Sequence, residues 1–383
     1  STRSLHSADL THVVENGRTY PNPVYYMPCD SLEQTRTEIL NQIFLVALDG
    51  ALTTAPLLPA VQRILDVGTG PGEWAIQMAD HYPDAEIVAV DLAVWDLPSQ
   101  PAGDDKENIT WEIDDLEPCI ITPQRPLSPN PQVDRETLAM DPGYASGSTN
   151  RTVSDRANSM LSEALEHDDS GDDDDSDSPS SRSGIASWDF SEPFDFIHIR
   201  NMKGAFRDWS AVFREAYSNL VPGGVLEVVD LLMHFPPSSP DSDASAPSAL
   251  QTLVTATIEA ASRAGRPLSL SHIRSPTLLA ASGFVDIHTR IVDLPMGPWP
   301  NDEKRALMGK LWLVACAEGI EALCLRLLTR VAGWSVERVR EMVAVARAEL
   351  LEGRHGNAKT EVVFAWGRRP RGRTRGKSKG RRR

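Results

Sequence analysis

ILDVGTGPGEWAIQMADHYPDAEIVAVD, residues 64–91, decides how the rest of this chain is read. Ile64 to Val67 is a strand-like run. Three glycines follow at 68, 70 and 72, with Thr69 inside the turn, and then a helical pattern. Ile87 to Val90 form a second strand-like run that ends on Asp91. Strand, glycine turn, helix and strand is the opening of a nucleotide-type α/β unit.

The spacing narrows the ligand. The dinucleotide pattern is G-x-G-x-x-G, whereas this turn is G-x-G-x-G with Asp66 two residues before the first glycine. A carboxylate there repels a pyrophosphate and favours a ligand carrying ammonium or sulfonium charge. S-adenosylmethionine fits. Its carboxylate can face the helix amides, its ammonium can face Asp66 directly or through water, and Gly68, Gly70 and Gly72 let the backbone come close. Asp91 is placed to accept from both ribose hydroxyls. A third strand over 109–113 ends on Asp114 and Asp115. One of them, Asp115 by preference, can accept from the adenine amine, the alternative being a solvated strand end.

Outward from this unit the chain alternates. Residues 31–50 read as a helix, with Ser31 as N-cap and Gly50 as stop. FDFIHIR (194–200) and VLEVVD (225–230) read as buried strands, with a helix over 209–220 between them. A helix over 248–265, a shorter one before Gly283, a strand over 284–294, a helical block over 302–352 and a last strand over 361–367 complete the pattern. Strands alternating with helices, several of them continuously apolar, predict a three-layer α/β sandwich. Its ligands belong beyond the C-terminal strand ends, where strand order reverses.

Composition divides the remainder. The chain has 383 residues, 41% of them hydrophobic, and its net charge of −16 averages two opposite extremes. Residues 118–187 are rich in Pro, Ser, Asp and Gly, with EALEHDDSGDDDDSD at 163–177, and read as a disordered acidic insertion. The last sixteen residues, RRPRGRTRGKSKGRRR, hold ten Arg or Lys and no acid. This basic tail, 368–383, predicts nuclear import and weak, salt-sensitive nucleic-acid contact, against a plain solvated extension. The expected domains are an extension and helix over 1–60, a catalytic domain in two halves (61–117 and 188–367), the insertion and the tail. Four cysteines without CxxC or zinc spacing point to reduced intracellular thiols and no metal. STRSLHSADL lacks the apolar core of a secretory signal, and no run of about twenty apolar residues predicts a membrane span.

Taken in order, ENGRTY (15–20), FLVALDG (44–50), RILDVGTGPGEWAIQMAD (63–80), ITWEIDDLE (109–117), FDFIHIR (194–200), LVPGGVLEVVD (220–230), GFVDIHTRIVDLPMGPWP (283–300) and FAWGRRP (364–370) resemble the class I methyltransferases. More closely, they resemble the LaeA-like family of fungal methyltransferase-domain proteins. The resemblance implies a Rossmann-like, seven-stranded, mostly parallel sheet with the last strand antiparallel, and helical additions. It also implies S-adenosylmethionine contacts at Asp66, Gly68, Gly70, Gly72, Asp91 and Asp115, and a link to nuclear control of secondary metabolism. Pro71 departs from the family pattern inside the turn, as does the long connection that carries the acidic insertion.

No side chain declares itself catalytic. The position to inspect follows the fourth strand, at Arg200, Asn201, Met202 and Lys203. Arg200 either holds the cofactor carboxylate or pairs with a nearby acid. His198 reads as a core histidine sooner than a base. Pro118-Cys119 follows the wrong strand for a cytosine methyltransferase nucleophile. The helical block either packs on the sheet and N-terminal helix, the favoured role, or walls a substrate pocket. The expected activity is methyl transfer to a small molecule or a protein side chain. The alternative is a nuclear regulatory scaffold that binds the cofactor, works through a protein partner and transfers nothing.

Overall fold

In a computed structural model, residues 12–95, 106–118, 188–235, 247–355 and 358–371 are described. The acidic stretch expected over 118–187 lies almost wholly outside them, as do Cys119 and most of the basic tail. A short hairpin, β1 (Val13–Glu15) and β2 (Arg18–Tyr20), precedes α1 (Ser31–Ala47), β3 (Arg63–Val67), α2 (Glu73–His81), β4 (Glu86–Asp91) and β5 (Ile109–Ile113). Then come β6 (Phe194–Arg200), α3 (Trp209–Ser218), β7 (Leu220–His234), α4 (Ala249–Arg263), α5 (Ser271–Arg274) and α6 (Thr277–Ala281). The chain closes with β8 (Val285–Leu294), α7 (Glu303–Arg330), α8 (Val336–Leu351) and β9 (Lys359–Arg368).

Seven strands form one sheet in the order β5-β4-β3-β6-β7-β9-β8. The first five are mutually parallel, and β9 runs antiparallel between β7 and β8. This is the sheet of the class I methyltransferases, in three layers. Both faces are covered, which is why β3, β4, β6 and β7 are apolar nearly without interruption. Val229, Leu231, Val362 and Phe364 pack beneath α1, α4, α7 and α8, while the alternating Val228, Val363 and Ala365 pack on the α3 side. Strand order reverses between β3 and β6, so the crevice beyond their carboxyl ends is where a ligand fits.

Several boundaries differ from the sequence expectation, each for a physical reason. Asp30, not Ser31, caps α1. Its carboxylate accepts from Glu33 N and also pairs with the Arg18 guanidinium at 2.6 and 2.8 Å, so one side chain ties the hairpin to the helix. The hairpin itself turns on Asn16 and Gly17, both at positive φ. The helix before Gly283 is two pieces, because Pro276 cannot donate a backbone hydrogen bond and holds Ser275 extended. Strand β7 continues to His234, where antiparallel pairing with Lys359 satisfies its backbone.

Helix α7 both packs and encloses. Leu325 and Leu328 are fully buried, each contributing about 2 kcal/mol of apolar burial. Its Arg326 is completely buried and clamps the segment before α1, residues 12–30, which straps the N-terminus to the body. Nε donates to Glu15 at 2.8 Å, Nη1 donates to the carbonyls of Asn22 and Tyr25, and the guanidinium lies over the Tyr20 ring at 3.6 Å. Glu15 keeps a second partner in Arg330, so the loss on deleting Arg326 falls at the low end for a broken buried pair. Arg326→Met is expected to lower stability by about 3 kcal/mol in urea unfolding. An unchanged midpoint would show that the strap is not held through this side chain.

Candidate functional site

The backbone leaves β3 into the left-handed region at Gly68 (φ 70°), Gly70 (59°) and Gly72 (85°), where any Cβ is strained. The three glycines face different surroundings. A Cβ on Gly68 would stand 2.2 Å from Met202 Sδ, and one on Gly72 2.3 Å from the Trp111 ring. A Cβ on Gly70 would meet nothing within 4 Å, because Gly70 opens onto a cavity. The Gly70 N–H donates to Asp91 Oδ2 at 2.8 Å, fixing the turn to the tip of β4.

The cavity, of about 180 Å³, lies beyond the switch point. Gly68, Gly70 and Asp91 form one end with Arg200. Tyr25 and Met27 come from the N-terminal strap, and Leu231 to Met233 from β7. Helices α4 and α7 close the other end, through Leu253, Trp312, Ile320 and Leu323 among others. The helical block over 302–352 therefore does both things its sequence allowed. An adjoining pocket of about 50 Å³ shares Gly68, Asp91 and Met202 and is closed by Asp114, Asp115, Leu116 and Phe206.

Asp91 carries more protein donors than a strand tip suggests. Oδ1 accepts from Ala93 N at 2.9 Å and from the Trp95 indole at 3.0 Å, beside the Gly70 bond to Oδ2. A carboxylate has about four acceptor positions, so one remains free. Two ribose hydroxyls can both reach Asp91 only if Trp95 yields its place. Burial raises the Asp91 pKa above its ordinary 3.8, against the pull of those three donors.

Arg200, at the end of β6, makes no ion pair or hydrogen bond to a described residue. Its guanidinium lies 4.9 Å from the Phe44 ring centre, and burial lowers its pKa while Asp66, Glu73 and Glu227 oppose the shift. Asp115 Oδ1 accepts from Glu117 N–H, and Asp114 Oδ1 accepts from Asp115 N–H, so each keeps one oxygen free of these turn bonds.

Asp66 is not at the cavity wall. Its register on β3 turns it toward the α2 side, where it is 3% exposed and its Oδ1 lies 3.3 Å from His198 Nδ1. His198 stacks on Trp74 at 3.8 Å and has Glu227 Oε2 3.7 Å from its other nitrogen. Glu227 accepts in turn from Thr53 and Thr54. His198 is thus a core residue, and Asp66, outside the cavity lining, still acts electrostatically on Arg200 and Asp91. The Thr69 hydroxyl is buried, has no hydrogen-bond partner among the described residues, and lies outside the cavity lining. Sequence reasoning missed Tyr25, Trp95, Leu116 and Phe206. The aromatic run in YPNPVYYMPC was a usable signal for Tyr25.

The residues fit S-adenosylmethionine: an open glycine face above a carboxylate at one point, an unpaired guanidinium at another, and an acidic strand end beside the second pocket. The comparisons with known proteins agree. A family model described as a methyltransferase domain matches residues 40–264. The chain is 30% identical, over 90% of its own length and 90% of the relative's, to the secondary metabolism regulator LAE1 of Cochliobolus heterostrophus. It is 27% identical to the protein-methionine methyltransferase laeA of Emericella nidulans, over 88% of this chain and 71% of that one. It is also 27% identical to the methyltransferase pytC of Aspergillus terreus, over 92% and 86%. The fold and site define a class I methyltransferase, whose methyl donor is S-adenosylmethionine. Within that class, the chain belongs to the fungal LaeA-like family.

Because the Asp91 pKa is raised, it takes up a proton at a higher pH than an ordinary aspartate, and a protonated carboxyl is a poorer acceptor. Affinity for S-adenosylhomocysteine should therefore fall as pH is lowered into the acid range, starting above the pH at which an ordinary aspartate takes up its proton, and this slope should be absent in Asp91→Ala. Titration calorimetry across that range checks it. An equal slope in both proteins would assign the pH dependence to another group.

Proposed function

We propose that this chain holds S-adenosylmethionine across the β3/β6 switch point and transfers its methyl group to an acceptor in the apolar cavity. The observation that carries the reading is the Gly70–Asp91 junction: a glycine whose missing Cβ leaves ligand space, bonded to the carboxylate that would take a ribose hydroxyl. Arg200 would hold the cofactor carboxylate, since it alone among the described cavity-lining arginines lacks an acidic partner; Arg36 is spent on Glu33. Asp115 would take the adenine amine beside Leu116. When bound, the cofactor supplies a methyl carbon on a sulfonium. The protein's part is alignment and the exclusion of water by the strap and α7.

The acceptor is a small molecule or a protein side chain, and the name of the E. nidulans relative makes a methionine thioether the form the second would take. A regulatory scaffold that transfers nothing has no use for a chamber walled by α4 and α7, which favours the enzyme. The regulators' names support a role in control of secondary metabolism. The basic run 368–383 supports nuclear import and salt-sensitive nucleic-acid contact. No helix among the described residues is long and apolar enough to cross a membrane.

Asp91→Ala is expected to weaken S-adenosylmethionine binding by about 1–3 kcal/mol, measured by calorimetry. Gly70→Ala should weaken it further than its cost of about 1 kcal/mol in folding stability explains, because the methyl occupies ligand space. Wild-type affinity in both would remove the junction from the site.

A further inference from the structure

Just past the end of β6 the cavity lining holds a group of hydrogen-bond donors that the cofactor reading leaves unassigned. Lys203, just past β6, sends one ammonium N–H to Asp230 Oδ1 at 3.0 Å and another to Asn201 Oδ1 at 3.0 Å. An ammonium has three donors, so one remains. Asp230 is fully buried and outside the cavity lining, and its oxygens also take the backbone N–H groups of Lys203 and Leu231. The acid thus stands behind and the ammonium in front. Asn201 is held at a φ of 57°, and its N–H donates to Val229 O. Since Asn201 Oδ1 accepts from Lys203, its amide nitrogen carries two further donors, and no described residue accepts from them. Asn201 and Lys203 both line the cavity.

Much of the remaining cavity lining is apolar, beside the hydroxyl-bearing Tyr25, Thr37 and Thr257. Leu253, Ile258, Trp312, Ile320 and Leu323 face the space with Cys316. Burial raises the pKa of the Cys316 thiol, and raises that of Cys324 to about 12, so both remain neutral and act as apolar lining. Among the cavity-lining carboxylates, Glu33 is engaged by Arg36, and the one acceptor position that three N–H donors leave on Asp91 falls to the cofactor in the reading above. An acceptor here has to bring its own unshared pair, and it has to satisfy donors without offering any.

We infer that the acceptor is a small carboxylic acid with an apolar body, one oxygen of which is received by Lys203 Nζ and Asn201 Nδ2. This rests on the cofactor reading above and names the substrate class for it. The second carboxylate oxygen is the nucleophile. Its lone pair forms the new O–CH₃ bond as the S–CH₃ bond breaks and the bonding pair returns to sulfur. The negative charge of the carboxylate and the positive charge of the sulfonium disappear together, and no proton moves. An amine is a poor occupant, because its ammonium form meets Lys203 and offers donors to donors. An alcohol lacks the charge that matches the ammonium and needs a base to release its proton.

The test is calorimetry on the full chain saturated with S-adenosylhomocysteine, using decanoate, decan-1-ol, decylamine and N-acetylmethionine amide as probes. Decanoate is expected to bind at least about tenfold tighter than each of the others, the scale of about 1.4 kcal/mol for a charge-assisted hydrogen bond. Lys203→Met leaves Asp230 buried without its cation, so the informative variant is Lys203→Met with Asp230→Asn. It should keep its S-adenosylhomocysteine affinity and a single thermal transition while losing the preference for decanoate. Decanoate binding no tighter than decan-1-ol, or a preference that survives in the double variant, would overturn the assignment. Tighter binding of the methionine amide would overturn it in favour of a protein side chain. Failure of S-adenosylhomocysteine itself to bind would instead sink the cofactor reading beneath it.

Discussion

The hydrogen bond from Gly70 N–H to Asp91 Oδ2, at 2.8 Å, joins the turn after β3 to the tip of β4. It forms because the backbone is left-handed at 68, 70 and 72, a geometry in which an L side chain is strained by about 1 kcal/mol or more. With Gly70 bare, the turn presents main chain to the cavity. With Asp91 bonded from below, the carboxylate is held at the strand tip with one acceptor position left. Everything else in the site is arranged around that junction: Arg200 one strand away on β6, and Asp114 and Asp115 at the end of β5.

The parallel sheet supplies an open crevice, and the additions turn it into a chamber. Helices α4 and α7 wall the side away from the glycine turn, and the N-terminal strap brings Tyr25 and Met27 against it. The strap has little core of its own. Arg326 fastens it from inside α7 through Glu15, Asn22 and Tyr25, and Asp30 fastens its other end to α1. Charged side chains thus hold the strap beside its apolar contacts, with Arg330 also on Glu15 and Tyr20 fully buried. The acceptor end gains its polarity in the same economical way, from Lys203 set in front of buried Asp230.

The sheet was legible because its strands carry the periodicity that burial on both faces imposes. Strands 64–67, 87–90, 109–113 and 194–200 stand within about a residue of their expected limits. The glycine turn and Asp91 were legible because backbone strain leaves few residue choices. Asp66 lacked a face in the sequence: spacing puts it near the turn, and only register shows its carboxylate beside His198, which stacks on Trp74. Ser31 lost the cap to Asp30 because Asp30 also answers Arg18, a contact from twelve residues upstream that local propensity does not register. The dual role of α7 follows from its being apolar on more than one face, which sequence shows without saying what each face meets. The donor group at Asn201 and Lys203 needed Asp230, twenty-seven residues on, to give it an orientation.

A crystal structure of the chain with S-adenosylhomocysteine tests the central claim most directly. The account predicts ribose density at Asp91 against the bare face of Gly70, the amino-acid carboxylate at Arg200, the adenine beside Asp115 and Leu116, and an unfilled space between Lys203 and α7. Density for the ribose away from Asp91, or an adenine lying in the chamber under α7, would contradict it.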